Sequence, residues 1–410
     1  MRLDNYTYAI EEDKLEWIES LQMRVGLTYF GGKSQIGKYI LNNIFNLSVQ
    51  MKKDGRNPDI FIDAFTGGGK IALSAPYGWY KKIVMNDLNY GVYSFYKYCK
   101  EDYIALIKMI DRIGEIMCED FFHLSAIIRS WGEDKKDEGL QLDGLAAAAL
   151  TYWITVSSFN AITDPKKITY VLPYRTTTNI KKEDGSSAIE HEAIKRKIKS
   201  AHKKIPAIHE QLVRNNIIIE NLDYRELIKK YNGLSWKDKS GKEQKPIEEY
   251  KGLNKLWYFD PPYHPYTLHG GKDAPYADSF DLDMATEMVD ILAGEKEKDY
   301  GKLEYFIKSD YDTQEALKRA KEEIAKEKRK NEGDTSVKVS SQISWYREMV
   351  ELDKKDTKNV SEAFTKIESY PFCKICVGEF NKGANIEIDE EIKKNTGLEY
   401  IWCRGFSKDY

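Results

Sequence analysis

Five times this chain runs an apolar, β-branched stretch straight into an acid or a glycine turn, and three of those turns open an amphipathic helix. The units are DIFIDAFTGGGKIALSA (59–75), KIVMNDLNYGVYSFYKYC (82–99), NNIIIENLDYRELIKKY (215–231), LWYFDPPY (256–263) and KLEYFIKSDYD (302–312). Strands that alternate with helices pair in parallel through helical crossovers, so the pattern predicts an α/β chain built on a mostly parallel sheet. SYPFCKICVGEF and LEYIWCRGF near the end read as late strands of the same sheet.

The alternation stops near residue 100 and resumes near 215. Between them come EDYIALIKMIDRIGEIM, the apolar GLAAAALTYWITVSSF (144–159) and a polar, basic stretch. The apolar run is too short and too rich in hydroxyls for a membrane span and reads as a buried helix. The organisation expected is therefore an N-terminal helical extension (1–27), a discontinuous sheet domain (28–100, 210–312 and 365–410) and a mainly helical insertion (101–209). A charged helical insertion covers 313–364; its lysine- and glutamate-rich helix over 313–332 reads as a solvated face.

Net charge is −3, so a nucleic-acid partner needs a local basic patch, not a basic protein. Such a patch exists: residues 165–214 hold twelve Lys or Arg against five acids. Within it, VLPYRTTTNIKKEDG suits a loop or hairpin reaching a groove, and Arg175, Lys181 and Lys182 are its candidate phosphate contacts. A solvated helical face over 191–204 is the competing reading. The five cysteines are odd in number and imply no disulfide framework. Cys373 and Cys376 form one CxxC within a strand-like run, read as inert thiols; no metal site is expected. MRLDNYTYAIEEDK has no apolar core, so no secretory leader is visible and a cytoplasmic protein without membrane attachment is expected.

Two corners carry chemistry. Gly67, Gly68 and Gly69 follow one strand where a helix should start, which lets backbone approach a ligand closely. Asp87 follows the next strand about 20 residues after the first glycine, where nucleoside-binding sheets set an acid on ribose hydroxyls. Capping the nearby helix is the alternative. Neither GxGxxG nor a phosphate loop is present, which favours an adenosine ligand without a phosphate chain, such as S-adenosylmethionine. At the second corner, Asp260 ends a strand and Pro261 and Pro262 stiffen its exit. The Asp260 carboxylate and the Pro261 carbonyl suit the two hydrogens of an amino group, and Tyr263 offers a face on which a base can stack.

Taken in order, YFGGK (29–33), DAFTGGG (63–69), NDLN (86–89), LDY (222–224), DPPY (260–263) and KSDYD (308–312) resemble the Dam-like DNA adenine N6-methyltransferases, with the target-recognition module inserted before DPPY. The resemblance implies a Rossmann-like methyltransferase sheet carrying an inserted DNA-recognition domain. It implies S-adenosylmethionine as cofactor, double-stranded DNA as partner, and a flipped adenine as substrate. Tyr29 and Lys33 would meet the cofactor's methionine end or the base, while Asp63 and the Phe65–Gly69 turn would line the cleft. Asp87 would bind the ribose, Asp223 the adenine amine, and Asp260 to Tyr263 would form the catalytic corner. HPYTLHGGKDAPYADSF (264–280) resembles the family's loop over the flipped base, with Tyr276 in it. Phe159 and Asn160 match the start of an FNG-type motif, but Ala161 stands in place of glycine, and Asp310 stands where asparagine is common. Those departures bear on the target sequence. Roles in restriction–modification or phage defence, with a cognate restriction endonuclease as partner, follow from the same resemblance. Methylation of another amine (cytosine N4 or RNA adenine) and a non-catalytic DNA-binding regulator on this scaffold are the alternatives.

Overall fold

Strands whose two faces are both covered need no polar alternation, and three strands here show that pattern. A computed structural model describes residues 23–29, 33, 36–119, 143–157, 179–181, 187–189, 191–262, 280, 282–311, 321–322, 324–325, 367, 370, 372–380 and 397–405. In chain order the elements are α1 (Gly37–Lys53), β1 (Ile60–Asp63), α2 (Lys70–Ser74), β2 (Lys82–Asn86), α3 (Tyr90–Glu101), α4 (Tyr103–Glu119) and α5 (Gly144–Ser157). Then come β3 (Asn179–Lys181), β4 (Ser187–Ile189), α6 (His191–Arg214), β5 (Ile217–Glu220), α7 (Tyr224–Tyr231), β6 (Trp236–Lys237) and β7 (Glu243–Gln244). The last are β8 (Lys255–Phe259), α8 (Leu282–Ala293), β9 (Phe306–Tyr311), β10 (Cys373–Phe380) and β11 (Gly397–Arg404). All four residues of β1, and four of five in both β2 and β8, are buried.

Seven strands form one sheet in the order β10-β11-β9-β8-β1-β2-β5. β1 with β2, β2 with β5, and β8 with β9 run parallel; β9 with β11 and β11 with β10 run antiparallel. The result is a mostly parallel, Rossmann-like α/β sheet flanked by helices, with an antiparallel pair added at one edge. Internal contacts divide the chain into Met1–Leu256 with Pro275–Asp278 and Trp257–Ala274 with Ser279–Tyr410.

In the first unit the helices α3 to α6 interlock closely. A β-carbon on Gly91 of α3 would collide with the Thr151 hydroxyl of α5, and one on Gly114 of α4 would lie 2.9 Å from the Trp153 ring. Trp153, fully buried, donates its indole N–H to the Ile110 carbonyl at 3.0 Å. That bond removes the cost of desolvating the indole nitrogen while the ring contributes apolar burial. α6 is amphipathic: Ile194, Ala201, Ile205, Ile208 and Leu212 are buried, and Lys195, Arg196, Lys199 and Lys203 are exposed. Its first half thus sets an exposed basic face opposite a buried apolar one.

In the second unit, Arg404 of β11 donates to the carbonyls of Leu292 (2.9 Å), Ala293 (3.1 Å) and Leu303 (3.2 Å). Two of these are orphan carbonyls at the end of α8, so one guanidinium caps the helix and ties it to the sheet. Trp402, Val289 and Ile367 form the core beside it.

Cys99 and Cys403 are buried. Cys373 and Cys376 lie in β10, whose register shifts between Cys376 and Gly378. Among the described residues no helix is long and apolar enough to cross a membrane. The N-terminal helical extension expected over 1–27 falls outside the described residues except for 23–27, which are not helical, and only four residues of 313–332 are described.

Candidate active site

The glycine turn is shaped by what lies on it. Residues 24–29, outside any helix or strand, cross the turn: Arg24 N–H donates to Ser74 Oγ at 2.8 Å and Leu27 N–H to Tyr96 Oη at 3.3 Å. A β-carbon on Gly67 would lie 2.9 Å from the Tyr29 ring, and one on Gly68 would lie 3.0 Å from the Leu27 carbonyl oxygen. At Gly69 it would strike the Tyr96 hydroxyl and lie 2.9 Å from the Met85 methyl. Gly67 and Gly69 also hold φ of +46° and +68°, a region L-residues with side chains enter at a cost of about 1–2 kcal/mol. The three glycines therefore admit the 24–29 segment and, with it, bring Tyr29 onto the turn. Lys33 follows, 4% exposed, its carbonyl accepting from Gly37 N–H at 2.8 Å where α1 begins.

Asp87 is tied to this turn. Its Oδ2 accepts from Gly67 N–H at 2.8 Å and its Oδ1 from Asn89 N–H at 2.9 Å. Capping of α3 belongs to Asn89, whose Oδ1 accepts from Gly91 N–H (2.9 Å) and Val92 N–H (3.1 Å). The capping alternative for Asp87 thus gives way to a carboxylate locked between the ends of β1 and β2. Half-buried, it stands at the carboxyl edge of the sheet, where open α/β folds bind ligands.

Asn86 joins three strand ends. Its Nδ2 donates to the Ala64 and Leu222 carbonyls, each at 3.0 Å, and its Oδ1 accepts from Leu222 N–H at 2.9 Å. The side chain is 1% exposed, so no water substitutes for these partners. It fixes the segments carrying Phe65 after β1 and Asp223 after β5. Asn221 adds a second stitch, donating to the carbonyls of Asp87 (2.7 Å) and Leu88 (2.9 Å). Asp63 is buried at the end of β1, and the Phe65 ring lies 5.8 Å from that of Tyr224.

Asp223 has a structural occupation. It caps α7, accepting from Arg225 N–H at 2.9 Å, and the Arg225 guanidinium bonds both of its oxygens at 2.7 and 2.9 Å. The charge-assisted pair holds the carboxylate in one orientation at the same edge as Asp87.

Tyr96, fully buried beneath the turn, has its phenol pushed well above the usual range by burial and stays neutral at physiological pH. Sequence pattern does not single out Tyr96. Asn86 begins the NDLN run and is a polar side chain inside an otherwise apolar strand, and those two signals point to it.

In the second unit, β8 carries Trp257 and Phe259 stacked on one face (5.8 Å) and Tyr258 on the other, its hydroxyl 3.1 Å from Ser309 Oγ of β9. Phe259 pairs with Lys308, and Asp260 is the next residue, at the exit of the strand. Asp260 is half-buried and Pro261 buried. Successive prolines remove two amide donors, so the corner presents acceptors without competing donors of its own. Tyr263, Asn160, Arg175, Lys182 and Tyr276 lie outside the described residues. Lys181 ends β3, which pairs with β4 as a hairpin, and nothing of its side chain is described.

No curated protein matches the chain. The family model described as D12 class N6 adenine-specific DNA methyltransferase matches residues 29–330, from Tyr29 through the glycine turn, Asp87, Asp223 and the Asp260 corner to past β9. The motif order of the sequence, the sheet that carries it and this match agree: the chain belongs to the D12 class of N6 adenine-specific DNA methyltransferases.

Proposed function

We propose that this adenine-specific DNA methyltransferase takes its methyl group from S-adenosylmethionine and acts on an adenine turned out of duplex DNA. The observation that carries the reading is Asp87. Gly67 N–H and Asn89 N–H hold its carboxylate at the ligand edge of the sheet. An acid so placed suits the hydroxyls of a ribose, and the turn beside it, overlaid by Tyr29, suits an adenosyl ligand with no phosphate chain. Asp223 accepts from the cofactor's adenine amine, and Lys33, Asp63 and Phe65 line the cleft. S-adenosylmethionine, when bound, supplies an electrophilic sulfonium methyl group.

The remaining chemistry belongs to the protein. An aromatic amine is a weak nucleophile because its lone pair is shared with the ring. The Asp260 carboxylate and the Pro261 carbonyl accept its two hydrogens, draw the nitrogen toward tetrahedral geometry and stabilise the positive charge that grows as the new N–C bond forms. The nitrogen gains the methyl group as that group's bond to sulfur breaks, leaving a neutral thioether, and the surplus proton on nitrogen is lost to solvent. Tyr263 stacks on the extruded base, worth about 1–3 kcal/mol, and Pro262 holds that tyrosine in place. Extrusion is required because the reacting nitrogen is engaged in base pairing within the duplex. The β3–β4 hairpin with Lys181, together with Arg175, Lys182, Asn160 and Tyr276, meets the DNA.

Purified protein incubated with methyl-labelled S-adenosylmethionine and duplex DNA yields N6-methyladenine, read by mass spectrometry of the nucleosides. Asp260→Ala abolishes transfer and leaves calorimetric cofactor affinity nearly intact. Asp87→Ala instead weakens cofactor binding about 10- to 100-fold, the loss of a charged hydrogen bond of about 1.5–3 kcal/mol. Near-normal turnover by Asp260→Ala would defeat the catalytic assignment.

A further inference from the structure

Between α7 and β8 the chain makes a detour that neither the sheet nor the catalytic reading requires. β6 and β7 pair as a hairpin, with Trp236 opposite Gln244 and Lys237 opposite Glu243. As the hairpin ascends, its partners descend in number along α7 and beyond. Trp236 lies 4.8 Å beneath Lys230 Nζ, Lys237 N–H donates to Glu226 Oε2 at 2.5 Å, and Lys239 Nζ bonds Asn221 Oδ1. The hairpin therefore climbs α7 from its C-terminus back to its N-terminus and reaches the carboxyl edge of the sheet. There Lys239 also stands over the Tyr90 ring at 5.0 Å, and its partner Asn221 is the residue that stitches the Asp87 and Leu88 carbonyls.

The tip is built, not slack. Asp238 Oδ1 accepts from Ser240 N–H (3.0 Å), Ser240 Oγ–H (2.6 Å) and Lys242 N–H (3.0 Å), and its Oδ2 accepts from Gln244 Nε2 at 2.7 Å. Gly241 takes φ of +79°, which closes the turn. On this rigid tip and its flanks Lys237, Lys242 and Lys245 are exposed, and the acids within 236–245 are only Asp238, consumed by the turn, and Glu243. A local positive charge at the ligand edge of a chain with net charge −3 is what a polyanion would select.

We propose that the β6–β7 hairpin is a second nucleic-acid contact, in which Lys237, Lys242 and Lys245 bind backbone phosphates of the substrate duplex beside the site, apart from the basic stretch at 165–214. The inference rests on the DNA-methylating reading above. Phosphate contacts set position without reading sequence, and each one neutralised steepens the salt dependence of binding.

The test uses the full chain and a duplex that the wild type methylates. In Lys237→Gln/Lys242→Gln/Lys245→Gln, the slope of log Kd against log[KCl] becomes shallower by about 2–3, at about 0.9 per phosphate. Cofactor affinity is unchanged, and the equivalent triple arginine variant restores the slope. Lys239 is left intact because it packs on Asn221. A wild-type slope in the glutamine variant overturns the proposal while leaving the methyltransferase reading standing. Equal loss in the glutamine and arginine variants also overturns it, since a fold defect and not charge would then be responsible. A wild type that methylates no duplex at all brings down the functional reading first.

Discussion

Replacing Asn86 tests whether the site is held by hydrogen bonds or by packing. Asn86→Ala removes three bonds to Ala64 and Leu222 and strands two carbonyls and one amide in a region where Asn86 is 1% exposed and Ala64 equally so. A neutral bond contributes about 1 kcal/mol net, and a buried group left unsatisfied costs about 1–3 kcal/mol. Three such groups give about 3 kcal/mol if water reaches them and about 6 kcal/mol if it does not, against a total stability of about 5–15 kcal/mol. The Leu222 amide reports directly, because its acceptor is the Asn86 side chain: its hydrogen exchange accelerates by two orders of magnitude or more, followed by mass spectrometry on the peptide spanning β5. Cofactor affinity falls with it, since the ends of β1 and β5 lose their common tie. Asn86→Leu is the control, of similar volume and without polar atoms. If leucine restores both Leu222 protection and cofactor affinity, the site is held by shape, and the reasoning from the clamp is wrong.

Gly69→Ala costs about 2–5 kcal/mol in urea unfolding, combining positive φ with overpacking against Tyr96. Tyr96→Phe in the same chain recovers at least about 1 kcal/mol of it, and strict additivity would show that the two groups do not collide. Burial lowers Lys255 to about 8, with Asp59 opposing the shift, so the unfolded chain binds more protons above that pH. Stability therefore rises from pH 8 to ~9.5, below the range where tyrosines begin to ionise, and Lys255→Met flattens that rise in thermal melts. A rise that survives the substitution would assign it to another group. Arg404→Lys loses about 2 kcal/mol, because one ammonium cannot span carbonyls at Leu292, Ala293 and Leu303 as a guanidinium does. Full stability in that variant would show that α8 needs no such cap.

Much of the architecture was legible because it rests on period. Continuous apolar runs at 60–62, 83–85 and 256–259 mark strands covered on both faces, and each is one. The apolar 144–159 stretch is a helix over Gly144–Ser157, buried from 147 to 156. The β6–β7 hairpin was not legible: its strands, Trp-Lys and Glu-Gln, are two residues long, too short for alternation to mark them. Nor was the closeness of α3 to α5, which depends on Gly91 meeting Thr151 across some sixty residues.

At the site the division is similar. Asp87 was visible as an acid after a strand, read for ribose binding with helix capping as its alternative, and the tertiary structure gives the cap to Asn89. Asp223 was visible as an acid before a helix, and only its pairing with Arg225 shows how it is oriented.

Local order of residue types, read along one dimension, was enough to determine the strand–turn–helix units, the glycine turn and the proline-stiffened corner, since each depends on neighbours within a few positions. Which strands lie side by side, that β10 and β11 run antiparallel, that residues 24–29 overlie the glycines, and that one asparagine ties three strand ends were decided by the tertiary structure alone. Those contacts join residues far apart in the chain, 136 positions in the case of Asn86 and Leu222, and a bond across such a distance leaves no periodic trace in the chain that makes it.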